Sequence, residues 1–404
     1  MIRTDVVVAG GGIAGLLIAS ALAPSCSVLL LEQGDSLPQN KYWLTEQKAA
    51  DRNPHLAACI DRCYNSLDFV AYDGLSATVR GSYCLWDTER LVSYLARELS
   101  RLQARVLTGH RLYAFSQTKT RIIVRANAEE IQARLLIDCM GFGSPIVGAK
   151  DVATIIGYYI LHGCEARIKL DGGDVRPICL DNVIVDRRPT FFELFPTSKG
   201  TAHAAIILPS RQYKPARSIK SDLSFILCKS HYSKKIMCEP FAKLKSYFGI
   251  IPVGRLRTPV LERIVFFGEA GQINPATTAT GLTRMLHTYS ALAASLLECL
   301  ERDSLRHNDL IRAIPEYMTP MNRVFQESLF EKVLSYNSDD FRLLVQELRE
   351  YPDNIVNDLM FGEFDFRPFK TVRLAANSLL RRRGVLGPNI LRSLARFLSR
   401  RRSL

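Results

Sequence analysis

The ten cysteines include no CxxC pair and no zinc-like spacing; they stand scattered at positions 26, 59, 63, 84, 139, 164, 179, 228, 238 and 299. That excludes the common zinc folds and a disulfide scaffold, and it predicts a reduced, cytoplasmic setting with no metal site. No uninterrupted run of about 20 apolar residues occurs, so no membrane-spanning helix is expected. Repeats and low-complexity segments are absent as well, which excludes solenoids and biased linkers. Tryptophan is scarce, with only Trp43 and Trp86 in 404 residues. Acid is missing altogether from residues 370–404, which carry ten Lys and Arg. Most of the net charge of +13 therefore sits in the tail, and residues 1–369 are nearly neutral.

What is present begins at the N-terminus. Thr4 to Ala9 reads as a buried parallel strand, followed by Gly10-Gly11-Gly12-Ile13-Ala14-Gly15, an apolar helix to about Leu22, a second strand Val28 to Leu31, and Glu32. Arg3 and the apolar run imitate a signal peptide, but Asp5 and the three glycines assign the segment to a βαβ unit. Gly10 permits the tight turn, Gly12 lets the backbone approach a pyrophosphate at the helix start, and Gly15 lets helix and strand pack closely. Ile13 and Ala14 open that helix, and Glu32 is placed to accept hydrogen bonds from a ribose. With 47% hydrophobic residues and a mean hydropathy of +0.02, the chain can bury a large core. Its length predicts two intertwined domains and an appendage.

Two distant segments sharpen the nucleotide. Arg263 to Gly271 ends in Gly268-Glu269-Ala270-Gly271 and is followed by Asn274-Pro275-Ala276-Thr277 and by Gly281 at the start of an apolar helix. Leu135 to Ser144 gives a second strand-to-loop motif containing Asp138 and Gly141. At these residues the sequence resembles the FAD-dependent group that includes p-hydroxybenzoate hydroxylase, geranylgeranyl reductases, lycopene cyclases and flavin-dependent halogenases. The resemblance implies noncovalent FAD, with Gly268, Glu269 and Gly271 against the ribityl chain and pyrophosphate. Glu269 stands where aspartate is usual, and Met140 where Thr or Ser is. Pro275, Thr277 and Gly281 then lie along the isoalloxazine, with Thr280 as helix cap. The group's arginine at the start of the helix Thr88 to Leu102 is replaced by Thr88, and Arg90 is the nearest substitute for contact with the pyrophosphate.

The expected fold class is α/β. A Rossmann-type FAD-binding domain takes residues 1–150 and 259–300, and an antiparallel-sheet substrate domain at 151–258 is interleaved with it. A helical region (301–369) and a basic amphipathic tail (370–404) complete the chain. The polar, irregular stretch from Glu32 to Tyr83 predicts a covering loop, with lining of the active site as the other role. Strands are expected at 155–161, 178–185, 190–195 and 202–208, and helices at 280–301, 309–317, 322–334 and 339–349.

Residues 178–196 resemble the lycopene cyclase pattern more than that of the hydroxylases. One departure matters: the family's glutamate pair falls near Ala205 and Ile206, both apolar. Asp181, Asp186, Glu193 and His203 remain as acid–base candidates, with Asp181, Glu193 and His203 taken as catalytic. The resulting expectation is an FAD-dependent oxidoreductase or cyclase acting on an apolar isoprenoid, polyene or lipid-like substrate. A flavin-dependent hydroxylase is the alternative, although the Asp-Gly signature of nicotinamide use is not visible. A halogenase is disfavoured because no Trp-x-Trp-x-Ile-Pro element occurs, and a flavin-binding structural protein is the non-enzymatic alternative. In the tail, Ile390, Leu391, Leu394, Phe397 and Leu398 share one helical face beside a stripe of Arg392, Arg396 and Arg400. An anionic membrane surface is the expected partner there, making the protein peripheral on the membrane, with no nucleic acid.

Overall fold

The computed structural model describes residues 1–39, 41–150, 152–168, 178–185, 188–215, 243–276, 278–315 and 320–361. Thr277, Asp186 and the tail 370–404 lie outside them.

Among the described residues three sheets form. The first has six strands in the order Val260–Leu261, Ile264–Phe266, Leu135–Asp138, Val6–Ala9, Val28–Leu31 and Arg105–Leu107. All its pairings are parallel except that of the edge hairpin Val260–Leu261 with Ile264–Phe266. The strand Val6–Ala9 is buried along its length because both faces are covered. Val6 and Val8 pack with the helices Ile13–Leu22, Thr88–Arg101 and Gly281–Glu301, whereas Val7 and Ala9 pack with a four-stranded sheet carrying Ile122, Val124 and Ile131. Alternation of side chains along a strand thus places one hydrophobic cluster on each side.

The third sheet has eight strands, in the order Lys243–Leu256, Ala153–Arg167, Thr201–Ser210, Arg188–Pro196, Ile178–Val185, Ile60–Val70, Ser76–Trp86 and Trp43–Glu46. Three of these come from the stretch expected as a covering loop, so the large sheet is not confined to 151–258. Polar residues mask the strand pattern there because Ile60–Val70 and Ser76–Trp86 pair as a hairpin with exposed positions toward its start and turn. The strand Lys243–Leu256 was also not anticipated.

Alternation again sorts the two faces of this sheet. Phe191 and Phe195 pack with Phe341, Val356, Met360 and Phe361 of the C-terminal helices. Phe192 and Leu194 face the opposite cluster with Ile160, Ala204 and Ile206. Glu193, between Phe192 and Leu194, therefore points to the helical side. That side is closed by helices Pro320–Val333, Ser338–Leu348 and Asp353–Phe361, the last of which no sequence signal announced. A capping box between Asn337 and Asp340 fixes the start of the middle one. None of the described helices is long and apolar enough to cross a membrane.

Candidate active site and cofactor cradle

The glycine loop has the geometry a pyrophosphate requires. Gly10 has φ +107°, and a Cβ there would stand 2.4 Å from the Cys139 carbonyl oxygen. A Cβ on Gly15 would stand 1.9 Å from the Gly10 carbonyl oxygen, so strand and helix touch through it. Gly12 is different: a Cβ there meets nothing within 4 Å, which leaves open space at the N-terminus of helix Ile13–Leu22, where Ile13 and Ala14 are buried. The Glu32 carboxylate accepts from the Gly11 and Gly34 N–H groups, each at 2.8 Å. Two of its roughly four acceptor positions remain for ribose hydroxyls.

The two later motifs converge on this loop. Gly268, with φ +69°, packs so closely that a Cβ would lie 2.5 Å from Ala14 Cβ. Gly271 N–H closes the turn onto the Gly268 carbonyl at 3.0 Å. Gly141, also with φ +69°, faces Glu269, whose Oε2 would be 3.2 Å from a Cβ there. Asp138 sits beneath the loop, accepting from the Ser144 hydroxyl and the Met140 N–H, while burial pushes its carboxyl up to about 6. Beyond Pro275, Tyr159 donates to the Ala276 carbonyl at 2.9 Å, tying this segment to the large sheet. Gly281 opens its helix with so little room that a Cβ would lie 1.8 Å from Asn274 Oδ1. Thr280 does not cap the helix with its side chain; its hydroxyl and that of Thr278 both donate to the Met360 carbonyl. The C-terminal helix thus takes the hydroxyls that a cap would use.

Arg90 is not brought to the cradle. Its guanidinium pairs with Asp87 at 3.4 Å on the surface, where Arg90 lines a shallow pocket with Ser93, Tyr94 and Arg97. Position along the helix decides this, since two residues rotate a side chain by about 200°.

A cavity of about 320 Å³ joins the cradle to the large sheet. Glu269, Asn274 and Thr278 to Leu282 line one end. Phe69, Phe191, Phe195, Tyr247, Phe248 and Ile251 line the sheet side, and Leu329, Phe341, Leu348 and Met360 are among the residues that roof it. Glu193 is the acid that the sheet wall contributes among the described residues. Its Oε2 accepts from the Tyr42 hydroxyl at 2.8 Å, yet burial among aromatic rings outweighs that bond and pushes the carboxyl up to about 7. Glu193 pairs across the sheet with Ala205.

His203 does not join Glu193. Tyr42 stands between, its ring stacked on the imidazole at 4.9 Å, and His203 lines a separate polar cavity of about 80 Å³ with Asp87, Glu165 and Lys199. Burial pushes its pKa down. Asp181 pairs with Phe192 and Val70 in its strand, and its side chain lies outside the described residues. Sequence reasoning gave Tyr247 no role and took the stretch with Lys41 and Tyr42 as a covering loop, with lining of the active site as the other reading; Lys41 approaches Glu269 at 3.8 Å, and Tyr247 lines both cavities. The Lys41-Tyr42-Trp43 run beside the second strand was the one available signal.

The lycopene cyclase protein family model matches residues 5–357. The chain belongs to the lycopene cyclase family. No curated protein sequence matches it. Among solved structures it is similar to a geranylgeranyl bacteriochlorophyll reductase-like protein from Thermoplasma acidophilum, with TM-score 0.72 and 15% identity over 93% of this chain and 99% of that one. The anhydrotetracycline hydroxylase OxyS from Streptomyces rimosus has TM-score 0.65 and 17% identity over 91% and 77%. The halogenase PltM, in complex with FAD, has TM-score 0.64 and 13% identity over 91% and 89%. Its fold is thus one it shares with the FAD-bound halogenase PltM, and as a member of the lycopene cyclase family the chain is an enzyme. The open space at Gly12, the free acceptor positions of Glu32 and the close-packed Gly268 loop fit that cofactor.

Proposed function

We propose that this lycopene cyclase family member acts on an apolar isoprenoid, polyene or lipid-like substrate, with Glu193 as the acid that faces it. The observation that carries the reading is the cavity itself, an aromatic and aliphatic chamber whose sheet wall presents one carboxyl, held by Tyr42. Such a chamber has little to offer a polar substrate, because hydroxyls buried there lose hydrogen bonds to water without replacement. FAD, held by the Gly10–Gly15 loop, Glu32 and the Gly268–Gly271 turn, supplies hydride or electron-transfer chemistry when bound.

The chain's own residues supply the rest. Glu193 carries its proton near neutral pH and presents it to the substrate; the Tyr42 hydroxyl, donating to Oε2, orients the carboxyl and stabilises the anion left behind. The aromatic walls exclude water, which protects a reactive substrate-derived cation from hydrolysis. The N-terminus of helix Gly281–Glu301 points its positive end at the cavity and favours negative charge there. Residues 370–404 hold the protein at an anionic membrane surface, the source of an apolar substrate.

The test is the visible spectrum and lipid extract of purified protein, followed by anaerobic incubation with FAD, a reductant and an acyclic polyene such as lycopene. A flavin spectrum, a bound polyene or isoprenoid, and a ring-closed or hydrogenated product are expected. A product that gains oxygen only when air is admitted would favour the hydroxylase alternative.

A further inference from the structure

Cys63 and Cys84 stand opposite each other on the antiparallel strands Ile60–Val70 and Ser76–Trp86, with their sulfurs 3.7 Å apart. Directly paired Cα atoms on antiparallel strands are about 4.5–5.5 Å apart, inside the span that a disulfide bridges. Rotation of the side chains can then bring the sulfurs to bonding distance while the strands keep their register. The two thiols differ in access. Cys63 is exposed and Cys84 is buried. The Cys84 thiol donates to Gln47 Oε1 at 2.9 Å, and burial, then the neighbouring Cys63, push its pKa up. Cys84 is thus shielded from solution oxidants, and Cys63 is the sulfur they reach.

We propose that Cys63 and Cys84 form a reversible intramolecular disulfide, made through Cys63 by a small disulfide oxidant of the glutathione class. The Cys63 thiolate attacks one sulfur of the oxidant, breaks its S–S bond and releases one thiolate. The Cys84 sulfur, losing its proton to solvent, then attacks Cys63 Sγ in the mixed disulfide and releases the second thiolate. Two protein thiols are oxidised by two electrons, the oxidant is reduced to two thiols, and the two protons lost by the protein end on them. The bond lies beside the cavity wall. Cys84 also pairs with Thr45 on the strand Trp43–Glu46, whose Trp43 and Leu44 line the chamber, and oxidation withdraws the thiol that Gln47 now binds. This site stands independently of the substrate reading above.

The experiment treats the full chain with oxidised glutathione, alkylates the remaining thiols and maps peptides without reduction. Wild type should yield the Cys63 and Cys84 peptides joined, with an intact mass lower by two hydrogens, reversed by dithiothreitol. Cys84→Ser should stop at a glutathione adduct on Cys63, and Cys63→Ser should leave Cys84 alkylatable only after denaturation. A wild-type end product that keeps glutathione on Cys63, that joins Cys63 of two chains, or that leaves both thiols free would overturn the proposal. Should either variant fail to fold, the wild-type peptide map decides alone.

Discussion

Replacing Tyr42 with phenylalanine removes one hydroxyl and keeps the ring, with its stack on His203 at 4.9 Å and its contact with Phe195 at 5.4 Å. The lost hydrogen bond ran to a carboxylate, and bonds to charged groups are worth about 1.5–3 kcal/mol. Because that bond favours the ionised form of Glu193, its loss raises the carboxyl further, from about 7 in the wild type by about one to two pH units. Infrared titration with carbon-13-labelled glutamate, taking Glu193→Gln as the subtraction, reads the shift directly. A wild-type carboxyl that titrates near its ordinary value of 4.5, or a Tyr42→Phe value that is unchanged or lower, would refute the reasoning. Stability follows with a fixed sign. The folded pKa lies above the unfolded one, so the contribution of Glu193 is complete below 4.5 and is lost as pH rises through about 7. The loss approaches about 3 kcal/mol at most, from the rise of the carboxyl from 4.5 to about 7. The melting temperature should therefore fall between about pH 4.5 and 7 in wild type, level off above, and stay flatter in Glu193→Gln.

The remaining predictions probe the cradle, the acid and the tail. Gly12→Val should fold with the melting temperature of the FAD-free protein and bind no FAD, as read by absorbance, because its side chain enters only the pyrophosphate space. Gly15→Ala should instead destabilise the FAD-free protein by about 1–3 kcal/mol or more in a denaturant titration, since its Cβ overlaps a carbonyl oxygen. Turnover should decline as pH rises through about 7 and drop by at least about 100-fold in Glu193→Gln, while the flavin spectrum is retained. Full-length protein should float with anionic vesicles in low salt and a chain ending at Phe369 should not, each basic residue near the surface contributing about 1 kcal/mol.

Local signals carried the cofactor half of the molecule. The strand Val6–Ala9, the helix Ile13–Leu22 and the glycines between them depend on turn sterics and short-range packing, which are written in consecutive residues. The run from Thr190 to Phe195 likewise announced a strand, and Glu193 was already a candidate acid. The stretch from Glu32 to Tyr83 misled because its strands are partly exposed and mix polar with apolar residues. Arg90 misled for another reason: the group's motif gave its neighbourhood but not its direction, and Asp87 holds it at the surface.

The sequence by itself determined the βαβ unit, the order of the three cofactor motifs and the strand that bears Glu193. Only the tertiary structure decided that Tyr42, 151 residues earlier, meets Glu193, that His203 stands behind that tyrosine in another cavity, and that the helix Asp353–Phe361 closes the chamber. Periodicity fixes which side of a strand a residue faces, because that follows from backbone geometry. What stands opposite is set by the packing of distant segments, whose pairing is chosen by the burial of whole faces and leaves no mark in any short window of residues.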